Sequence, residues 1–121
     1  MNAINIKSKL SSFSKNWHPH QIALVDDMQV LLAKLKGEFV WHAHEHEDEL
    51  FQVIKGTLYM QFRDKTEVVN EGEIIVVPKG IEHNPMTKNN EEVHVLLFEK
   101  SSTAHTGNVK HKNTQTHYPK I

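Results

Sequence analysis

Cysteine is missing from all 121 residues, and with it go disulfide frameworks, thiolate zinc sites and cysteine nucleophiles. Any metal held by this chain must therefore be bound through imidazole and carboxylate. An excess of charge is missing as well. Lys+Arg 14 against Asp+Glu 15 leaves a net charge of -1 with no long run of one sign, so the electrostatic footprint of a nucleic-acid binder is absent and no DNA or RNA partner is expected. No apolar run approaches the about 18 residues of a membrane span, and Met1 to Leu10 has no apolar leader core. These absences lead to the expectation of one cytoplasmic, soluble domain with no membrane partner.

Histidine, by contrast, is abundant, at 10 residues. The stretch Gly37 to Gly56 reads Gly-Glu-Phe-Val-Trp-His-Ala-His-Glu-His-Glu-Asp-Glu-Leu-Phe-Gln-Val-Ile-Lys-Gly. In extended chain alternate side chains share a face, so His42 and His44 point one way and Ala43 the other. Two imidazoles on one face make half a metal site, and a short turn over Glu45 to Asp48 brings the carboxylate of Glu49 back towards them. A solvated polar loop is the rival reading of the pair taken alone, and a turn tighter by one residue would put Asp48 in the place of Glu49. His46, Glu47 and Asp48 are the nearest candidates for a catalytic base, although Glu45, Glu47 and Asp48 also read as a solvated turn. His18 and His20 repeat the His-x-His spacing, but Pro19 separates them and no carboxylate follows at a suitable distance, so they fall outside the site.

A second stretch, Gly72-Glu-Ile-Ile-Val-Val-Pro-Lys-Gly-Ile-Glu-His83, supplies a further imidazole. Ile74 to Val77 read as a short buried strand, and Pro78-Lys79-Gly80 ends it, because Pro fixes φ and Gly accepts positive φ. Together the two stretches resemble the motifs of the cupin superfamily, Gly-x5-His-x-His-x3 or 4-Glu-x6-Gly and Gly-x5-Pro-x-Gly-x2-His-x3-Asn. The likeness runs from about Lys36 to Glu99. Gly37 precedes His42 by four residues where the pattern has five, and Thr87 stands where its terminal Asn falls. Trp-His-x-His, Asp-Glu-Leu-Phe and Val-Pro-Lys-Gly are similar to small single-domain cupins often labelled mannose-6-phosphate isomerase-like.

The resemblance implies an all-β, cupin-type double-stranded β-helix (jelly-roll) barrel with His42, His44, Glu49 and His83 as the ligands of one divalent first-row transition metal, Mn, Fe, Ni, Zn or Cu. Residues 1–22 are expected as an N-terminal arm anchored by Leu10, Phe13 and Trp17, residues 23–100 as the barrel, and residues 101–121 as a polar C-terminal tail. Within 22–36, Leu24, Met28, Leu31 and Leu35 fall at helical spacing, but the resemblance implies strands with a turn at Asp26-Asp27, and strands are expected.

From Leu50 onward alternation predicts strands directly. Phe51 and Val53, then Leu58, Met60 and Phe62, alternate with polar residues. Turns are expected at Gly56, Asp64-Lys65, Glu71-Gly72 and, as a hairpin, Asn89-Asn90. His94 reads as an exposed alternation partner. Phe39, Trp41, Phe51, Met60, Met86 and Val95 are the candidates for a cavity wall, with ordinary core packing as their other role. Thr106-Gly107-Asn108 resembles a tail motif of small cupins, with disorder the simpler expectation for the last ten or so residues.

The implied function is a metal-dependent isomerase, epimerase or dioxygenase acting on a small oxygen-rich, sugar-like molecule. The alternative is a small-ligand binding or sensor module without turnover. Small cupins commonly pair, so a homodimer using the apolar anchors of the arm is expected.

Overall fold

The computed structural model describes residues 1–111, 114 and 117–121. A one-turn helix, α1 (Ile6–Leu10), is followed by eight strands: β1 (His20–Val25), β2 (Met28–Leu35), β3 (Glu49–Lys55), β4 (Leu58–Phe62), β5 (Thr66–Val69), β6 (Ile74–Val77), β7 (His83–Met86) and β8 (Val93–Lys100). They form two antiparallel sheets, one of five strands in the order β1-β2-β8-β3-β6 and one of three in the order β5-β4-β7. The expected all-β cupin barrel is the observed architecture.

Within residues 22–36 the chain runs as β1 to Val25 and β2 from Met28 to Leu35, and the turn falls at Asp26-Asp27, where Asp26 has φ of 52°. The helical spacing of the leucines loses because β2 is paired along its whole length with β8, from Met28 opposite Lys100 to Leu35 opposite Val93. Alternation then decides what is buried. Leu31, Ala33 and Leu35 of β2, Phe51 and Val53 of β3, and Val93, Val95 and Leu97 of β8 face Leu58 and Met60 of β4 across the interior. Each such enclosed large side chain stabilises the fold by about 1.5–3 kcal/mol.

The apolar anchors of the arm pack on their own chain: Leu10 is buried, Phe13 stacks on His20 at 4.0 Å and Trp17 on Phe39 at 4.6 Å. Three expectations are corrected. Asn89 and Asn90 both take positive φ and do form a turn, but it joins β7 in one sheet to β8 in the other and so is no hairpin. Ile74 to Val77 is a strand but not a buried one: Ile74 and Val76 are exposed and only Val77 is enclosed. His94 is half-buried, with Nε2 2.9 Å from Glu92 Oε1.

The expectation of disorder falls partly on residues 112, 113, 115 and 116, which lie outside the described residues. Beyond them the chain is held on β1: Gln21 N donates to Pro119 O at 2.8 Å, and Ile121 N donates to Gln21 O at 3.0 Å.

Candidate metal centre

His42 and His83, 41 positions apart, are bound backbone to backbone. His42 N donates to His83 O at 3.0 Å, and His83 N donates to His42 O at 2.9 Å. His44 is fixed by its carbonyl, which accepts from Gly80 N at 2.7 Å, so the Pro78-Lys79-Gly80 turn sets both the second and the third imidazole. Asp48 serves that turn: its Oδ1 accepts from Lys79 N at 2.8 Å. Glu49 opens β3 and reaches inward. The four side chains His42, His44, Glu49 and His83 are all buried, and one donor atom from each lies within 4.8 Å of the others.

The ring orientations are set from behind. His42 Nδ1 lies 2.9 Å from Val40 O, and His83 Nδ1 lies 2.9 Å from Ile81 O. A nitrogen that faces a carbonyl carries the proton, which leaves each Nε2 with a free lone pair aimed at the cluster, the usual way a protein orients metal-ligating histidine. Glu49 Oε1 lies 3.5 Å from His44 Nε2 and 3.6 Å from His83 Nε2. These separations exceed the about 2.7–2.9 Å of a charge-assisted hydrogen bond. They are close to the spacing of two atoms that each sit about 2.1 Å from one shared cation, about 3.0–3.4 Å apart. Among the described residues those three atoms are buried without a hydrogen-bond partner. Orphaned buried donors of this kind are costly unless something joins them, and the set is of the right chemistry and spacing to hold a metal ion.

The electrostatics agree. Burial alone would raise the Glu49 carboxyl, but the facing imidazoles of His44 and His83 hold it well below the usual range and keep it anionic. Burial, and then the charge of His83, lower His42 to about 4, so this imidazole stays neutral. Burial lowers His44, but Glu49 outweighs that and leaves it raised. One carboxylate and a neutral imidazole lone pair are the forms in which these groups bind metals.

Beside the cluster is a cavity of about 30 Å³, lined by His42, Glu49, Phe39, Phe51, Trp17, Leu97, Glu99, His105 and Tyr118 among others. Of the expected wall residues, Phe39 and Phe51 line it. Met60 and Val95 are enclosed in the core instead, and Trp41 lies under the guanidinium of Arg63 at 3.9 Å. His46 is exposed, 3.8 Å from Glu45, and Asp48 is spent on the turn, so neither points to the cavity.

Sequence reading missed Glu99. It stands opposite Glu49 in the β3–β8 pairing, is 1% exposed, and has Oε2 without a partner. Burial, and then the charge of Glu49, push its pKa well above the carboxylate range. Parity was the available signal, because Glu99 continues the inward series Val93, Val95, Leu97. Tyr118, its phenol pushed up by burial and then by Glu99 and Glu49, gave no comparable signal.

Residues 28–99 match the Cupin_2 family, cupin domain. The chain is 39% identical over 82 residues to the uncharacterized protein YdbB of Bacillus subtilis (strain 168), a match that covers 67% of this chain and 66%, just under two thirds, of that relative. Among solved structures it resembles a cupin-2 domain containing protein from Shewanella frigidimarina NCIMB 400, with 45% identity, a TM-score of 0.78, and coverage of 80% of this chain and 93% of that one. It also resembles protein NMB1881 from Neisseria meningitidis, with 32% identity, a TM-score of 0.74, and coverage of 83% and 100%.

Proposed function

The chain belongs to the cupin family, and on that premise we propose that it is a metal-dependent enzyme acting on a small oxygen-bearing molecule, with His42, His44, Glu49 and His83 holding one divalent first-row transition metal. The observation that supports this reading is the buried three-histidine, one-carboxylate cluster whose inward atoms lack partners. Such an ion, when bound, polarises a carbonyl or lowers the pKa of a hydroxyl in its open positions.

The chain's own residues supply the rest. Phe39, Phe51, Trp17 and Leu97 give the cavity an apolar wall, and Glu99 adds to it a carboxyl whose pKa burial and then Glu49 raise well above the carboxylate range. A carboxyl of raised pKa beside the ligand can donate a proton at Oε2 and take one back, the exchange that an isomerisation by proton transfer requires. Glu99 therefore replaces His46 and Asp48 as the acid-base candidate, beside Glu47, whose charge acts on His44 and Glu99.

The cavity of about 30 Å³ has room for about two water-sized groups, which favours a small ligand over an intact sugar, since a single water needs about 10–15 Å³ on this scale. The same smallness supports a second reading, capture of a small ligand without turnover. Substrate screening of metal-loaded protein beside Glu99→Gln separates them. Turnover that the variant loses while still binding metal supports the enzyme; ligand binding without turnover in either protein supports the binding module.

We also propose a homodimer through a different surface from the arm. The outward face of the five-stranded sheet carries an apolar row from Ala23 through Val30, Phe98 and Leu50 to Val76, one residue per strand. Ile74 and Val76 at one edge and Val25 at the other are exposed. An apolar row without a charge is complementary to itself under a two-fold axis, and its exposed edges are of the kind that marks an interaction surface.

A further inference from the structure

Two of the three contacts that fix the imidazole-bearing segment come from the second motif: the bridge between His42 and His83, and Gly80 N on His44 O. The third comes from the far end of the chain. Ala43, between the two histidines, turns its side chain away from the cluster, and its peptide groups meet Asn108. Asn108 N donates to Ala43 O at 3.1 Å, and Ala43 N donates to Asn108 Oδ1 at 3.1 Å. One residue thus satisfies the donor of the His42–Ala43 peptide and the acceptor of the Ala43–His44 peptide, the two units that set the His42–His44 spacing.

Gly107 makes this approach possible. A Cβ there would stand 2.2 Å from Ala43 O and 3.2 Å from His42 Cδ2, and its φ of +55° lies in the left-handed region. No other residue has the room. The loop is braced by buried Thr106, whose hydroxyl donates to Val109 O and lies 2.8 Å from the Thr114 hydroxyl.

We propose that Gly107 and Asn108 are positioning residues of the metal centre, and that the segment Thr106 to Asn108 is a working part of it. The proposal rests on the metal-binding reading above. Neither residue reaches the donor atoms. Their role is to hold the two peptide groups of Ala43 so that both imidazoles face one point, leaving the rings no freedom to separate.

Co²⁺ titration of full-length metal-free protein, followed by visible absorption, tests this. Asn108→Ala sits at an exposed position and is expected to leave the metal-free melting temperature unchanged. Its Co²⁺ affinity should fall about tenfold or more, the size of effect seen when groups that orient metal ligands are removed, with a change in the ligand-field band. Asn108→Asp keeps an Oδ acceptor and should restore the band. Gly107→Ala should act in the same direction and more strongly, and Asn108→Ala decides the matter should that variant not fold. Wild-type affinity and band in Asn108→Ala, or no restoration by Asp, overturns the proposal. A wild-type protein that takes up no Co²⁺ overturns the metal reading itself, a result distinct from either.

Discussion

His83 is fully enclosed, its Nδ1 faces Ile81 O, and its Nε2 faces only the cluster, so its removal deletes a ligand without disturbing a surface. Protein purified without a histidine tag is expected to carry about one equivalent of a first-row transition metal, and His83→Ala to lose it. Elemental analysis that finds none, before and after reconstitution, counts against the site. His42 leads to a pH dependence. In metal-free protein its pKa drops from 6.5 to about 4 through burial and then His83. A folded-state value below the unfolded one means that the unfolded chain takes the proton first, so the stability is full above pH 6.5 and is lost as pH falls towards about 4. At about 1.4 kcal/mol per unit the loss is about 3 kcal/mol. Glu49, held below its ordinary range, adds a loss below 4.5, while the raised His44 works in the opposite direction. Urea unfolding of chelator-treated protein at about pH 7 and about pH 4.5 should show this slope, and His42→Gln should flatten it. Equal slopes would remove His42 from the account.

At the scale of elements, the departure from the family pattern at Thr87 has a structural meaning. Thr87 Oγ1 accepts from Gly37 N at 2.8 Å, and Thr87 N donates to Gly37 O at 2.9 Å, which ties the end of β7 to the turn after β2. Thr87→Val keeps the shape but strands the Gly37 donor. It is expected to cost about 1–2 kcal/mol in chemical denaturation and to leave metal content unchanged; a neutral substitution would show that water replaces the hydroxyl. Strands β3, β4 and β8 were legible because their alternation is strong and local. The segment Ile22 to Lys36 was ambiguous because its leucines satisfy both periods, and only pairing with β8 decides between them. Strand β7 was invisible in His83-Asn84-Pro85-Met86, where a proline and two polar residues hide a strand that β4 pairs from one side. The four candidate ligands were readable because turn residues at fixed offsets locate them. Glu99 and Asn108 were not, since each acquires its neighbours only when distant chain ends meet.

In the whole molecule the five-stranded sheet packs one face on the core and carries an apolar row across the other. Light scattering is expected to give a dimer, and Val76→Glu, which charges an exposed edge of the outward row, a folded monomer; a wild-type monomer at about micromolar concentration would sink the pairing. The backbone bridge between His42 and His83 has a different kind of consequence. Contacts across such separations form late, because loop-closure entropy is spent before they bring any reward. A growing chain that has released His42, His44 and Glu49 holds only a fragment of the chelating set, and the loop that steadies it, around Asn108, emerges later still. On the metal-binding reading proposed above, loading with an ion therefore follows the emergence of Asn108, so the ion meets an already shaped receptacle and not a nascent peptide.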